Sequence, residues 1–148
     1  MSPLDLTLRL LLAAGLGAAI GIERELRRKP AGLRTNILIA VGAALFTTLS
    51  VHFGETGGTA DRIAAQIVTG VGFLGAGAIL HSGGSIHGMT TAATIWVNAA
   101  VGMAVGSGQY AMATVATVIT LVVLALMVPL ENYFERRLGI DDTHSTET

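Results

Sequence analysis

Apolar stretches about as long as a bilayer is thick recur along the chain. The longest uncharged segment is the 68 residues Ile63–Leu130, which contain no Asp, Glu, Lys or Arg. Soluble domains need charged residues on the helix faces that meet solvent, whereas a charged side chain at the centre of a bilayer costs roughly 2.5–3.5 kcal/mol. The pattern therefore predicts an integral membrane protein whose main solvent is lipid.

Five apolar spans are predicted, each near the length that a hydrocarbon core of about 30 Å requires. The fourth is the shortest, and two alternatives stay open for it: a partly re-entrant segment, or a helix that extends into Met89 and Gly106. The fold class is all-α, a polytopic membrane helix bundle. The predicted spans are Leu4–Ile22, Asn36–Phe53, Ile63–Leu80, Thr90–Val105 and Tyr110–Leu130.

Basic residues orient the bundle, because cytoplasmic loops carry an excess of Lys and Arg. The first loop, Glu23–Thr35, holds five of them, and Arg136 and Arg137 follow the last span. Four spans separate the two regions, an even number, so both can lie in the cytoplasm. We therefore expect the N-terminus outside and the C-terminus inside. Four spans in total would place the two basic regions on opposite sides.

Composition sets further limits on domains and chemistry. Residues 1–138 form the predicted transmembrane domain, 139–148 a short polar disordered tail, and no C-terminal soluble domain is expected. The chain has no cysteine, 51% hydrophobic residues, 13% charged residues and a net charge of −1. Disulfides and Cys-based metal sites are thus excluded. No Ser-His-Asp set or helical His-Glu-x-x-His occurs, so we expect neither an enzyme nor catalytic residues, and no nucleic-acid partner.

Many of the 19 glycines lie inside the spans. Gly17-x-x-x-Gly21 and Gly102-x-x-x-Gly106 have the spacing that lets helix backbones approach closely in lipid. Packing within one chain, a dimer interface and a flexible gating helix are the alternatives. Gly70–Gly75 also matches the dinucleotide fingerprint, but it lies within an apolar helix and lacks the downstream acid that holds ribose. We therefore expect no nucleotide site.

Charged residues collect at the edges of the first two spans. Asp5 and Arg9 have the i, i+4 spacing of an ion pair, and Arg9 alternatively extends its charge to the membrane surface. Glu23-Arg24-Glu25 follows the first span and Arg34-Thr35 precedes the second, so these groups meet at one membrane boundary. They form either a cross-linked Glu–Arg cluster that braces the loop or a functional site for an ion or partner. The candidate ligands for Mg²⁺ are Glu23, Glu25 and, on the outer side, Asp61.

A second polar group belongs to the third and fourth spans. Thr91, Thr94 and Asn98 fall at i, i+3 and i+7, on a single helical face. Because a polar stripe within lipid has to face protein or water, it makes hydrogen bonds between helices or lines a small pathway. His81 and His87, beside the predicted loop Ser82–Ser85, make a poor metal site without a nearby carboxylate. The candidate residues of this group are Arg62, Gln66, Thr90, Thr91, Thr94 and Asn98.

Three sequence blocks, in this order and spacing, resemble the MgtC/SapB family of bacterial inner-membrane proteins. They are Gly21-Ile-Glu-Arg-Glu25 with Lys29–Thr35, Arg62–Val68 with Gly70–Gly77, and Gly88–Val97 with Ala99–Gly102. The resemblance implies a multi-span domain linked to growth at low magnesium, to virulence in pathogens and to action on the F-type ATP synthase. The polar positions that it implies are Glu23, Arg24, Glu25, Arg34, Arg62, Gln66, Thr90 and Thr91; Asn98 is not among them.

Three functions stay open. The first is a non-catalytic regulator that binds other membrane components during magnesium or ion stress. The second is a small transporter or channel for Mg²⁺ or another cation, built as a homodimer if the pathway lies between protomers. The third is a structural assembly factor, which leaves the Glu-Arg-Glu cluster unexplained. The first is favoured, because no ionisable residue lies deep in a span, where coupled transporters usually place one.

Overall fold

Five helices and one short hairpin make up the computed structural model, which describes residues 1–55, 60–82 and 85–138. The all-α bundle predicted from the sequence is confirmed. The predicted tail, 139–148, lies outside the described residues. In chain order the elements are α1 (Pro3–Leu26), α2 (Leu33–Glu55), α3 (Ala60–Gly77), β1 (Leu80–Ser82), β2 (Ser85–His87), α4 (Met89–Gly106) and α5 (Tyr110–Leu138).

Several predicted bounds were wrong. The helix α1 continues to Leu26, so Glu23, Arg24 and Glu25 lie in its last turns rather than in a loop. The third span was predicted to reach Leu80, but α3 ends at Gly77, and Leu80 begins a strand that pairs antiparallel with β2. Ser82 and Ser85, the ends of the predicted loop, are instead paired residues of the two strands. For the fourth span the extended alternative holds, since α4 includes Met89 and Gly106.

The start of α1 follows from its sequence. Ser2 caps the helix, its hydroxyl accepting a hydrogen bond from the backbone N–H of Asp5 at 3.1 Å, and Pro3 is the first helical residue. Proline suits that position because its missing N–H would have no partner there. Arg9 Nε lies 3.1 Å from Asp5 Oδ2, which confirms the ion pair expected from their spacing.

Contacts at the two ends of α1 fix the direction of α4. Arg9, near the start of α1, donates from Nη1 to the backbone oxygen of Gly106 at the end of α4, at 2.9 Å. Arg24, near the end of α1, donates from Nη2 to Thr91 Oγ1 at the start of α4, at 2.7 Å. The helices α1 and α4 are therefore antiparallel. We call the end of the bundle where α1 ends and α2 begins the basic end.

Small residues bring α1 and α4 against α2. A Cβ on Gly17 would lie 2.7 Å from the backbone oxygen of Asn36, and one on Gly21 would lie 2.7 Å from Leu33 Cα. Cβ atoms on Gly102 and Gly106 would clash with the backbone oxygens of Ala40 and Ala44. These four glycines make helix-to-helix contacts within one chain, and α2 is the central element between α1 and α4.

Because α2 is antiparallel to α1 and α4 is too, α2 and α4 run in the same direction. The chain between them, α3 and the hairpin, has to return along the bundle. Among the described residues, only four helices have the length and apolar composition of a span: α1, α2, α4 and α5 over Tyr110–Met127. The 18-residue α3 is not one of them, since it carries Asp61, Arg62, Gln66 and four glycines.

Candidate functional site

Arg24 is the most deeply buried charged residue described, with 3% of its surface exposed. Its hydrogen bond to the equally buried Thr91 joins the end of α1 to the start of α4. A buried guanidinium needs hydrogen-bond partners, because its removal from water is otherwise costly. Arg24 Nε nevertheless has no hydrogen-bond partner among the described residues. Arg24 thus has one donor free at the basic end.

The carboxylate of Glu23 lies at the same end and is also shielded, with 13% of the side chain exposed. Its Oε1 forms an ion pair with Arg27 Nε, which lies one helical turn further along α1. In the described part of the chain neither oxygen accepts a well-aligned hydrogen bond, and both are buried. Glu23 and Arg24 together leave an acceptor and a donor unused at the end of the bundle.

Glu25 braces the connection between α1 and α2. Its Oε2 accepts a hydrogen bond from the backbone N–H of Leu33 at 3.2 Å, which caps the start of α2. The same oxygen would clash with a Cβ on Gly32. Arg34 and Thr35 are exposed, and neither side chain has a hydrogen bond or ion pair with a described residue. The loop is therefore braced through Glu25 and the backbone of Leu33, without Arg34.

The predicted polar stripe of α4 is buried against the other helices. Asn98 is fully buried, and its Nδ2 donates to the backbone oxygen of Asn36 at 2.7 Å and to Asn36 Oδ1 at 3.1 Å. Thr94 bonds within its own helix, to the backbone oxygen of Thr90 at 2.7 Å. Of the two alternatives, hydrogen bonding between helices is the one that Thr91 and Asn98 display.

Asn36 was not among the predicted site residues, although it is fully buried at the junction of α1, α2 and α4. Its Nδ2 donates to the backbone oxygens of Ala31 and Gly32, the second at 3.0 Å. The amide therefore ties the loop to α2 and α2 to α4. The available signal was an amide side chain within an otherwise apolar run that starts the predicted second span.

Arg27 is the second residue that the sequence prediction left out. Its Nη2 donates to the backbone oxygen of Ala125 in α5, at 3.2 Å. Pro129 lies four residues after Ala125 and has no N–H, so the normal helical partner of that oxygen is missing. Arg27 thereby joins α1 to α5 while it pairs with Glu23. The i, i+4 spacing of Glu23 and Arg27 was the signal in the sequence.

The remaining candidates are not brought into this site. Arg62 and Gln66 are exposed in the first turns of α3, at the opposite end from Arg24, and Thr90 is exposed in the first turn of α4. Asp61 also starts α3, and its side chain lies outside the described part. Within the described residues no three His, Cys, Asp or Glu are grouped as a metal site. Glu23 and Glu25 are thus separated from Asp61 by the length of the bundle.

Comparisons with known proteins place the chain in context. The sequence model of the MgtC family matches residues 10–133. The protein named Putative magnesium transporter YhiD, from Escherichia coli K12, is 50% identical over 127 residues, which cover 81% of this chain and 59% of that protein. Protein MgtC of Brucella abortus strain 2308 is 50% identical over 121 residues, with coverages of 81% and 50%.

A more distant relative extends the match along the chain. The uncharacterized protein slr0014 of Synechocystis is 44% identical over 140 residues, covering 95% of this chain and 58% of that protein. The chain thus spans about half to three-fifths of the length of these relatives. No solved structure matches it.

Proposed function

This chain belongs to the MgtC family, and from that membership and the polar site at the basic end we propose that it acts in magnesium homeostasis as a non-catalytic regulator of another component of the bacterial inner membrane. The observation that carries the proposal is the pair of unused hydrogen-bonding groups, Glu23 Oε2 and Arg24 Nε. Buried polar groups are normally satisfied. Because both atoms are shielded in the chain alone, binding of the partner has to turn these side chains outward, where amide or hydroxyl groups of the partner would satisfy them.

The distribution of ionisable residues supports regulation over transport. Residues 10–22, 36–51, 63–80 and 88–130 contain no Asp, Glu, Lys, Arg or His. Transporters commonly place such residues along the path of the ion within the membrane. In the interior of this bundle, the side-chain amide of Asn98 donates its hydrogen bonds to Asn36. The family resemblance offers the F-type ATP synthase as a candidate partner.

The test uses Glu23→Gln, which keeps the size of the side chain and removes its charge. In a strain that lacks its own copy, the wild-type chain should support growth at low magnesium, and Glu23→Gln should lose most of that support at unchanged expression. Glu55→Gln is the matched control, because Glu55 is an exposed carboxylate at the opposite end of the bundle. Equal growth of the two variants would contradict the proposed site.

A second candidate is a cation transporter, favoured by the name of the E. coli relative and by two carboxylates, Glu23 and Glu25, at one end of the bundle. Mg²⁺ keeps several waters and is bound by one or two carboxylates, and a homodimer would offer a pathway between protomers. Saturable magnesium flux into liposomes, lost in Glu25→Ala, would establish transport. The regulator predicts no such flux from folded, inserted protein.

A further inference from the structure

An apolar groove of about 700 Å³ runs between α2 and α3, and Ile95 of α4 also lines it. Along α2 its lining extends from Thr35 to Phe46. Eleven helical steps at 1.5 Å each make a length of about 16 Å. A hydrocarbon core is about 30 Å thick, so the groove is about as long as one leaflet is deep.

Two glycines keep the groove open. Gly42 of α2 and Gly70 of α3 both line it, and a Cβ added at either would meet no atom within 4 Å. The space is thus left by missing side chains rather than by a gap in the protein core. In a bilayer an apolar space at the surface of a bundle is filled by a hydrocarbon chain or by another apolar helix.

Uncompensated positive charge lies at one end of the groove. Arg34 precedes Leu38 by four residues, so both lie on the same face of α2, and Leu38 lines the groove. Arg28 and Lys29 are exposed in the preceding loop. In the described part of the chain none of these three residues forms an ion pair, whereas Glu23 pairs with Arg27 and Glu25 is bound by the backbone of Leu33.

The backbone holds the basic loop in a defined shape. The N–H of Arg28 donates to the oxygen of Glu25 at 3.0 Å, and the N–H of Lys29 donates to the oxygen of Arg24 at 2.9 Å. Arg28 has a φ of 53°, a left-handed conformation that residues other than glycine adopt at a cost. Exposed cations in a loop of defined shape that leads into the groove-lining helix α2 suit a ligand with an anionic head and a hydrocarbon tail.

We propose that this groove binds an anionic phospholipid of the leaflet that the basic end faces. One acyl chain lies between α2 and α3, over Gly42 and Gly70. The phosphate binds Arg34, and Arg28 and Lys29 add to the positive potential around it. The preference for an anionic lipid follows from the charge, because a choline headgroup would bring a cation against Arg34.

Native mass spectrometry of the full chain tests the proposal, with phosphatidylglycerol and phosphatidylcholine supplied in equal amounts. The wild-type chain should retain phosphatidylglycerol preferentially. Arg34→Gln should lower that retention about fivefold, the factor expected for one basic residue at an anionic surface, and Arg34→Lys should preserve it. Gly70→Leu should fill the groove and lower the retention of both lipids.

Gly72→Leu is the matched control, since a Cβ on Gly72 also meets nothing within 4 Å and Gly72 is not part of the groove lining. Equal lipid retention by Gly70→Leu and Gly72→Leu would overturn the proposal, as would equal binding of the two lipids by the wild type. A loss of dimer mass in Gly70→Leu without a loss of lipid would also overturn it, and would identify a second copy as the occupant. If Gly70→Leu fails to fold, the comparison of Arg34→Gln with Arg34→Lys tests the proposal instead.

Discussion

Asn36 and Asn98 lie 62 positions apart in the sequence and meet at the buried junction of α1, α2 and α4. The amide of Asn36 also holds the loop before α2, through the oxygens of Ala31 and Gly32. The oxygen of Asn98, however, has no partner among the described residues. Removing the side chain of Asn98 therefore removes a stabilising hydrogen-bond donor and also a destabilising acceptor that lacks a partner. The two effects on stability partly offset each other.

We predict that Asn98→Ala lowers the free energy of unfolding by about 1–2 kcal/mol. Hydrogen bonds between membrane helices average about 0.6 kcal/mol and reach about 1.7 kcal/mol, and the lost packing adds to this. Unfolding in mixed micelles of mild detergent and SDS measures the change. Thr114→Val is the control, since Thr114 is exposed on α5 and bonds only within its helix; an equal loss in both variants would contradict the role of Asn98.

Residue spacing predicted only part of this junction. The i, i+3, i+7 pattern correctly placed Thr91, Thr94 and Asn98 on one buried face. It could not name Asn36 as the partner, because periodicity identifies a face of one helix and carries no information about which helix covers it. The same holds for Arg24: its position at a membrane boundary is visible in the sequence, and its bond to Thr91 is not.

At the scale of elements, close approach of backbones holds α1, α2 and α4 together. We predict that Gly102→Ala destabilises the bundle by about 1–3 kcal/mol, because its Cβ would clash with the oxygen of Ala40 in α2. Gly15→Ala should be neutral or should stabilise by up to about 1 kcal/mol, since its Cβ meets nothing within 4 Å and alanine favours helix. Micellar unfolding of both variants checks this, and equal effects would refute the packing argument.

The connection between α1 and α5 depends on the carbonyl that Pro129 leaves without its helical donor. In Pro129→Ala a new N–H competes with Arg27 for the oxygen of Ala125, so Arg27→Gln should cost less stability in that background than in the wild type. We expect a coupling of about 0.5 kcal/mol, since the bond is exposed. A double-mutant cycle measures it, and strictly additive effects would show that the Arg27 contact contributes nothing.

The helices were predicted correctly where a long apolar run marks them. The hairpin and the end of α1 were not. All five helices were anticipated, because lipid enforces long uncharged runs. The hairpin of β1 and β2 was predicted as a loop, since the Gly and Ser residues of Ser82–Ser85 are typical of both. The last turn of α1 was also missed, because charges at Glu23–Glu25 mark a membrane boundary, whereas a helix can continue past that boundary.

At the scale of the whole molecule, α3 is the element that decides the topology. Its composition alone does not make it a span, yet α2 and α4 run in the same direction on either side of it. An 18-residue helix rises about 27 Å, so α3 has nearly the length needed to return the chain across the bilayer. The polar first turn of α3 and the groove beside it are compatible with a crossing, because α2 and α4 cover part of the surface of α3. The covered residues include the buried Ile67 and Val71.

The absence of cysteine from the chain makes this crossing directly measurable with single substitutions. We predict that Lys29→Cys and Arg137→Cys react with a membrane-impermeant maleimide from the cytoplasmic side, and that Gln109→Cys reacts from the other side. Three crossings separate Lys29 from Gln109 when α3 spans the bilayer, and two when it does not. Labelling of Lys29→Cys and Gln109→Cys from one side, with Arg137→Cys on the other, would therefore show that α3 fails to cross. Labelling of intact and lysed spheroplasts distinguishes the two patterns, and the sidedness of Lys29 also tests the orientation expected from the basic loops.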